Sequence, residues 1–547
     1  MGGCVAIHSR YYFYFVAFTI ISCSVRVVHG SDVRPNVVFI VVDDLGWDDV
    51  GYHGSTQVKT PNIDMLAASS IDLDSHYVNP LCSPSRAALL TGRYPSSLGL
   101  QHSVIIQGQR VGVPLNETML SEHLRRAGYA THAIGKWHLG YFAKQYTPTG
   151  RGFDSFYGYY NENTDYYDHT SSLDFTLADK HNPAWGLDWR MDENGTFRFV
   201  YEDFGKYSTD ILTDRAVQVV QNYSKSEQPL FMYLAYQAIH SANEAEPLQA
   251  PQEDVNQFRT IYDPRRRTTA GMIYNLDKNI GRLVQTLEYT GMLNKTLLVL
   301  LTDNGGPTLN CDFSWASNYP LRGSKHTLYE GGVRGVALVR MPHMTSADAR
   351  VSKGLVHVAD WVPTVLEAVG LSIPSQLDGV SQYNSLVSGN ESPREELLHN
   401  VDQRTNYSAV RVGDIKLIVG KWKNGYGGCP NNAGWYTPPG STPMTSYVTP
   451  SPTVKCEGQQ PSNSQNECMS EDLQMSACMF NITADPCEYI NIIDHPSLVS
   501  VRTHALQRLN YYYSKAVPPK WPLPDPTSLP PLHNYTWVPW TNDTTIW

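Results

Sequence analysis

The sequence predicts an α/β protein with a mostly parallel sheet between layers of helices. Three nearly continuous apolar runs, at residues 36–42, 229–235 and 296–301, are typical of parallel strands that are buried on both faces. Amphipathic stretches at residues 121–128 and 268–290 alternate with these runs and predict helices. Strands that alternate with helices in this way indicate a sheet built from parallel crossovers.

The composition of the chain changes after residue 395. Short strand patterns at residues 407–412 and 415–419 lie among many Gly, Pro and Ser residues, and a helical pattern at residues 497–515 precedes a Pro-rich tail. We therefore expect an α/β domain over residues 31–395 and a smaller C-terminal α+β domain over residues 396–547.

Residues 1–30 resemble a secretory signal peptide. Arg10 precedes an apolar run over residues 11–25, and small residues follow near residue 30. A membrane anchor is the alternative, but the run is shorter than the roughly 18–20 apolar residues that a span requires. We expect a protein of the secretory pathway, either lysosomal or secreted, with no stable membrane span after signal removal.

Net charge argues against one class of partner. The chain has 547 residues and a formal net charge of −10, and it contains no long basic run. Nucleic acid is therefore not an expected partner, because binding to its phosphates depends on clustered Lys and Arg. A polyanionic substrate would need a locally basic cleft.

The cysteines and glycosylation sequons fit an oxidising compartment. Beyond the leader and Cys82, an even set of cysteines predicts a disulfide-stapled C-terminal region: Cys311, Cys429, Cys456, Cys468, Cys478 and Cys487. A zinc cluster is the alternative, but these cysteines lack a C-x2-C pair. Sequons that predict a glycoprotein occur at Asn116, Asn194, Asn222, Asn294, Asn390, Asn406, Asn481, Asn534 and Asn542.

Polar side chains follow two of the predicted strands. Asp43 and Asp44 come directly after the first strand, and Asp303 and Asn304 come after the strand at residues 296–301. Carboxyl ends of parallel strands share one edge of a sheet, where such folds bind their ligands. Hard oxygen donors there suit Ca²⁺ or Mg²⁺. Either pair on its own would more often be a turn or a helix cap.

A cation and a titratable imidazole lie close together in the run G-K-W-H. If the chain is extended there, Lys136 and His138 point to the same side. A lysine can neutralise an oxygen of an anionic ester while a histidine moves a proton. Together they indicate a site for an anionic ester.

The run C-S-P-S-R-A-A-L-L-T-G-R at residues 82–93 resembles the signature of the type I sulfatases, in which the cysteine is oxidised to formylglycine. Residues 128–140, ending in G-K-W-H-L-G, are similar to the second signature of that family. For Cys82 alone, a buried cysteine at a helix start is the alternative. Residues 149–159 and 165–167 make the chain most similar to the arylsulfatase B group.

The resemblance implies an alkaline-phosphatase-like fold and sulfate ester hydrolysis. It implies a formylglycine at position 82, produced by the formylglycine-generating enzyme, and Ca²⁺ as the cofactor, with Mg²⁺ as an alternative. His240, in Y-Q-A-I-H, resembles the second active-site histidine, and Lys325, in P-L-R-G-S-K, resembles the second sulfate-binding lysine. The implied metal ligands are Asp43, Asp44, residue 82, Asp303 and Asn304, and the implied catalytic residues are Cys82, Arg86, Lys136, His138, His240 and Lys325.

The sequence is compatible with more than one class of sulfate ester as the substrate. The resemblance suggests a sulfated sugar such as N-acetylgalactosamine 4-sulfate or an aryl sulfate, and a small dietary sulfate such as a glucosinolate is the alternative. The loop at residues 308–319 looks extended relative to the family and lies between the metal-binding strand end and Lys325. Two other classes of protein are alternatives. A related metal phosphatase would use Ser or Thr in place of Cys82, and an inactive secreted binding protein would lack at least one site residue.

Overall fold

The apolar run at residues 36–42 forms a central strand of the structure, a computed structural model. The structure describes residues 34–173, 184–193, 195–243, 245–420, 429, 433–437, 454–458, 460–461 and 468–546. The signal peptide expected at residues 1–30 lies outside the described residues.

The structure contains the following strands within its described residues. In chain order they are β1 (Asn36–Val42), β2 (Ile71–Leu73), β3 (His76–Tyr77), β4 (Ala130–Lys136), β5 (Ser155–Tyr159), β6 (Thr170–Ser172), β7 (Trp185–Leu187), β8 (Arg190–Glu193), β9 (Thr196–Phe199), β10 (Leu230–Ala235), β11 (Thr296–Thr302), β12 (Ala337–Arg340), β13 (Arg350–Ser352), β14 (Val356–His357), β15 (Glu396–Asp402), β16 (Tyr407–Val412), β17 (Ile415–Val419) and β18 (Ala477–Asn481).

Helices fill most of the connections between these strands. They are α1 (Pro61–Ala67), α2 (Cys82–Thr91), α3 (Pro95–Leu98), α4 (Leu120–Arg126), α5 (Ser208–Tyr223), α6 (Gln252–Val255), α7 (Pro264–Tyr289), α8 (Glu330–Val333), α9 (Trp361–Ala368), α10 (Tyr383–Ser388) and α11 (Val499–Lys515). Among the described residues, no helix is long and apolar enough to cross a membrane.

The main sheet has ten strands in the order β13-β2-β12-β11-β1-β10-β4-β5-β8-β9. Its centre is parallel, because β1 pairs with both β10 and β11 in that sense, and β4 pairs in parallel with β10 and β5. Antiparallel strands extend it at both sides. The mostly parallel sheet predicted from the apolar runs is confirmed.

Both faces of the sheet are buried, as the continuous apolar runs predict. Val37 and Phe39 of β1 belong to one hydrophobic core with residues of α2 and α9, whereas Val38 and Ile40 belong to a second core with residues of α5 and α7. Each such fully buried aliphatic or aromatic side chain contributes about 1.5–3 kcal/mol. The sheet is therefore a rigid platform, and its carboxyl edge positions the loops that carry the polar residues.

The longest helix begins earlier than its periodicity indicates. The sequence pattern places its start at residue 268, whereas α7 begins at Pro264. Asp263 is the N-cap, and its side chain accepts hydrogen bonds from the backbone N–H groups of Arg265 and Arg266. Proline at the first helical position loses no hydrogen bond. The cap therefore sets this boundary, not the apolar pattern.

A second, four-stranded antiparallel sheet begins at Glu396 and has the order β15-β16-β17-β18. Helix α11 covers it, with Ala505 and Leu509 packed in one core with Val410 and Leu417. This is the α+β arrangement expected after residue 395; a domain boundary at that residue stays a prediction. Three disulfides confirm the even cysteine set: Cys311–Cys429, Cys456–Cys487 and Cys468–Cys478.

Candidate active site

Two strand ends bring four oxygen-bearing side chains together. Val42 of β1 is in register with Thr302 of β11, so the residues that follow them lie side by side. The backbone N–H of Asp44 donates to Asp303 Oδ1 at 3.3 Å, and Asn304 Nδ2 donates to Asp44 Oδ1 at 2.7 Å. The four residues, Asp43, Asp44, Asp303 and Asn304, are all buried.

Cys82 is the first residue of α2, and its Sγ lies 3.5 Å from Asp43 Oδ1. Burial raises the pKa of the Cys82 thiol well above its usual value, so the unmodified thiol stays protonated and is a poor nucleophile. Arg86, one helical turn later, donates from Nε to Asp303 Oδ2 at 2.9 Å. The first turn of α2 therefore directs residue 82 towards Asp43 and the guanidinium group of Arg86 towards Asp303.

Lys136 and His138 reach the site by a different backbone path from the one predicted. Strand β4 ends at Lys136, whose Nζ donates to Asp43 Oδ2 at 2.6 Å. His138 has a left-handed backbone, with φ of 55°, so the chain is not extended there and the condition for a shared side does not hold. Its backbone N–H donates instead to the carbonyl of Tyr160 at 3.0 Å, which anchors the turn beyond β4.

The protonation of His138 follows from its surroundings. Its Nε2 lies 2.9 Å from the carbonyl oxygen of Ile105, which can only accept, so this nitrogen carries the hydrogen. Burial and the charges of Lys136 and Arg86 lower the pKa of His138 well below its usual value. The imidazole is therefore neutral, and its Nδ1 offers a lone pair.

His240 and Lys325 complete the group through Asp44. His240 Nδ1 lies 2.8 Å from the carbonyl of Ser241, and its Nε2 lies 3.7 Å from Asp44 Oδ2. Lys325 Nζ lies 2.9 Å from Asp44 Oδ1. The structure thus brings every residue of the predicted site into one buried constellation, including His240, whose local motif is the least distinctive.

The donor set fits a hard divalent cation. Ligand atoms of Asp43, Asp44, Cys82 and His240 lie within 4.8 Å of one another. Within the described part of the chain, the buried Oδ1 of Asn304 has no hydrogen-bond partner. Clustered carboxylate and amide oxygens, as in Asp43, Asp44, Asp303 and Asn304, are the ligands that Ca²⁺ and Mg²⁺ prefer.

The charged side chains around residue 82, here called the inner site, include equal numbers of carboxylates and cations. Three buried carboxylates face three buried cations: Asp43, Asp44 and Asp303, and Arg86, Lys136 and Lys325. Burial would raise the pKa of Asp43, but the charges of Lys136, His240 and Arg86 outweigh it and hold that pKa below its usual value. Burial and the charge of Asp43 raise the pKa of Asp303.

Two further carboxylates border the site and are not among the residues predicted from the sequence. Asp312 Oδ2 lies 3.1 Å from Lys325 Nζ. Burial raises the pKa of Glu162, which lies near enough to His240 and Lys325 to interact with their charges. The extended loop at residues 308–319 was a signal for Asp312, whereas no motif marks Glu162.

Gly305 explains how the end of β11 and the segment that follows Lys325 approach so closely. A Cβ atom at this position would lie 1.9 Å from the carbonyl oxygen of Gly331, which no side chain tolerates. The backbone N–H of Gly305 donates to the carbonyl of Gly332 at 3.0 Å. The glycine therefore permits the contact that ties β11 to the chain beyond Lys325.

A buried set of acid, base, cationic and oxygen-donor groups at the carboxyl edge of a parallel sheet defines a hydrolase of anionic esters. The Sulfatase family model matches residues 35–371. The chain belongs to the sulfatase family and is a sulfuric ester hydrolase.

Relatives and solved structures agree with this membership. Mouse arylsulfatase J is 36% identical over 516 residues, covering 93% of this chain and 80% of the relative. Mouse N-acetylgalactosamine-6-sulfatase is 31% identical over 414 residues, covering 73% of this chain and 74% of the relative. A crystal structure of Ps i-CgsB with k-i-k-neocarrahexaose has a TM-score of 0.69 and 28% identity, covering 90% of this chain and 96% of the other.

Proposed function

We propose that the protein hydrolyses sulfate esters by means of a formylglycine hydrate at position 82 and a divalent cation, Ca²⁺ in the first instance. The observation that carries the proposal is the placement of Cys82, 3.5 Å from Asp43 within a shell of lysines, histidines and carboxylates. In the structure this residue is the unmodified cysteine, whose Sγ occupies the place of the aldehyde carbon's oxygens.

Two groups supply chemistry that the standard side chains lack. A formylglycine hydrate carries two hydroxyl groups on one carbon, one to attack sulfur and one whose loss of a proton expels sulfate and restores the aldehyde. A divalent cation held by Asp43, Asp44, Asp303 and Asn304 would acidify a nearby hydroxyl and attract sulfate oxygens.

The two histidines divide the proton transfers. His240 Nδ1 donates to the carbonyl of Ser241. In the doubly protonated ring Nε2, next to the Asp44 carboxylate, also carries a hydrogen, and it is this nitrogen that delivers its proton to the leaving alcohol. His138 Nδ1, a lone pair on a neutral ring, accepts the proton of the second hydroxyl. One histidine acts as the acid and the other as the base.

The cations bind charge on the sulfate and on the hydrate. Lys136 and Lys325 are both buried and directed at the carboxylates that surround residue 82. In this low-dielectric setting each ammonium stabilises negative charge more strongly than it would in water. Arg86, held by Asp303, stabilises the oxyanion of the hydrate.

The substrate that we propose is a sulfated sugar, such as N-acetylgalactosamine 4-sulfate, or an aryl sulfate. The support is the likeness to proteins named arylsulfatase J and N-acetylgalactosamine-6-sulfatase, and to a structure in complex with a neocarrahexaose. A small dietary sulfate such as a glucosinolate is the second candidate, since the chemistry at sulfur is the same.

We also propose that the protein matures in the secretory pathway and is lysosomal or secreted. Its described sequon asparagines are accessible for glycosylation, being exposed at Asn116, Asn222, Asn294, Asn390, Asn406, Asn534 and Asn542 and half-buried at Asn481. The formylglycine-generating enzyme is the partner that the modification of Cys82 requires.

The test compares wild type with Cys82→Ala and Cys82→Ser. Peptide mass spectrometry should find formylglycine at position 82 in the active wild type, and both variants should fold and lose turnover on a panel of sulfate esters. Cys82→Ser is the informative control, because it retains a hydroxyl and lacks the aldehyde. Full activity with an unmodified Cys82, or substantial activity in Cys82→Ser, would refute the mechanism.

A further inference from the structure

Two carboxylates compete for the ammonium group of Lys325. Its Nζ lies 2.9 Å from Asp44 Oδ1 and 3.1 Å from Asp312 Oδ2. An ammonium group has three N–H donors. Asp312 therefore occupies one of the donors that would otherwise be available to a sulfate oxygen.

The position of Asp312 is fixed by its loop. The preceding residue, Cys311, is joined by a disulfide to Cys429, and Asp312 itself has a left-handed backbone, with φ of 46°. Its Oδ2 also lies 3.0 Å from His326 Nε2. The carboxylate is thus held between two nitrogen groups and not merely carried past them by a surface loop.

Asp312 is charged and lies on the outer side of Lys325. Burial would raise its pKa, but the charges of His326 and Lys325 hold that pKa well below the usual value. Its side chain is 15% exposed, against 1% for Lys325 and 0% for Asp44. Of these three side chains, that of Asp312 is therefore the most accessible to solvent.

This arrangement treats anions of different charge differently. The inner site has equal numbers of carboxylates and cations, and Asp312 adds one negative charge outside it. A sulfate ester carries one negative charge and inorganic sulfate carries two, whereas inorganic phosphate at neutral pH is a mixture of monoanion and dianion. A fixed carboxylate beside Lys325 repels a dianion about twice as strongly as a monoanion at the same distance, and such repulsion is an effective source of specificity.

We propose that Asp312 is a specificity-determining residue that weakens the binding of dianions at Lys325, so that the site favours monoanionic esters over phosphate and releases its sulfate product. The inference rests on the proposed function in one respect, namely that Lys325 binds the sulfate group. It concerns the side chain of Asp312 and does not depend on which alcohol the ester carries.

The experiment uses Asp312→Asn, which keeps the shape of the side chain and removes its charge. Asp214→Asn is the matched control, because it removes the same charge from an exposed position on α5. Binding of inorganic sulfate and of inorganic phosphate is measured by calorimetry in a Cys82→Ala background, which requires no turnover. Inhibition by both ions and KM for a monoanionic aryl sulfate are measured in the active proteins.

We expect Asp312→Asn to bind both dianions roughly three- to tenfold more tightly, with a smaller change in KM for the monoanion and no change in Asp214→Asn. Unchanged or weaker dianion binding would overturn the proposal, and so would an equal gain for monoanions and dianions. Asp312→Ser serves if Asp312→Asn does not fold. A wild type that hydrolyses no sulfate ester would refute the proposed function, while the calorimetry would still decide the role of Asp312.

Discussion

Replacement of Lys416 by methionine should destabilise the fold severely, because Lys416 neutralises two buried carboxylates. It lies in β17 with no exposed surface, and its Nζ lies 2.9 Å from Glu330 Oε1 and 3.0 Å from Glu488 Oε1. Glu330 also accepts a hydrogen bond from Tyr77 at 2.8 Å. Lys416→Met preserves most of the aliphatic packing and removes the charge.

The expected loss is about 3–5 kcal/mol of unfolding free energy, the usual cost of removing one partner from a buried ion pair. One of the two carboxylates can reduce this loss by taking up a proton. Burial already raises the pKa of Glu488, whereas Lys416 helps to hold the pKa of Glu330 below its usual value. The loss in Lys416→Met should therefore be largest at neutral pH and smaller at acidic pH.

Urea-induced unfolding, followed by tryptophan fluorescence at several pH values, measures this loss. Lys515→Met, at an exposed position at the end of α11, is the matched control and should change the unfolding free energy by less than about 0.5 kcal/mol. A loss below about 1 kcal/mol in Lys416→Met, or one that grows as the pH falls, would refute the assignment of Lys416 as the neutralising charge.

Three further perturbations test the site and its surroundings. Asp303→Ala should lower divalent-ion content and activity together, and elemental analysis that found zinc at full activity in the wild type would contradict the assignment of a hard cation. Trimming the loop at residues 308–319 should change KM and ester preference more than kcat, provided that Lys325 stays in place; an unaltered preference across an ester panel would contradict a substrate-facing role. Burial raises the pKa of Asp48 from 3.8 to about 7. The folded state therefore favours its protonated form, and the stability that this carboxyl group contributes is complete below about pH 4 and is lost as the pH rises through about 7. Asp48→Asn should flatten that part of the pH profile in thermal unfolding, and an unchanged profile would contradict it.

The strand ends were predictable because their chemistry follows directly from the chain. A strand buried on both faces must be apolar throughout, so the first polar residues after it, such as Asp43 after β1, mark the carboxyl edge of the sheet. The C-S-P-S-R run is recognisable from consecutive residues alone, and its cysteine is the first residue of α2. Local patterns therefore sufficed for the core of the sheet and for most of the constellation.

Residues whose position depends on distant contacts could not be predicted. Asp312 reaches Lys325 because a disulfide fixes its neighbour, Cys311, to a cysteine 118 residues away. The left-handed turn at His138 is anchored by the backbone of Tyr160 beyond β5, a contact that no local pattern encodes. For Asp312 the sequence marks the segment and the tertiary structure selects the side chain, whereas for His138 the sequence selects the side chain and the tertiary structure sets its backbone conformation.

The buried charges of the inner site make the arrangement costly for folding and useful for catalysis. Removing three carboxylates and three cations from water costs several kcal/mol per ion, and their mutual attraction often fails to recover that cost against hydrophobic replacements. Their retention is therefore poorly explained by stability. The same burial holds His138 neutral. It would also strengthen the effect of each cation on an incoming sulfate, as the proposed function requires. We therefore infer that the charges of the inner site are retained for function although they lower stability. Lys416 differs, because its ammonium group pairs with Glu330 and Glu488, which are not among the residues of the inner site.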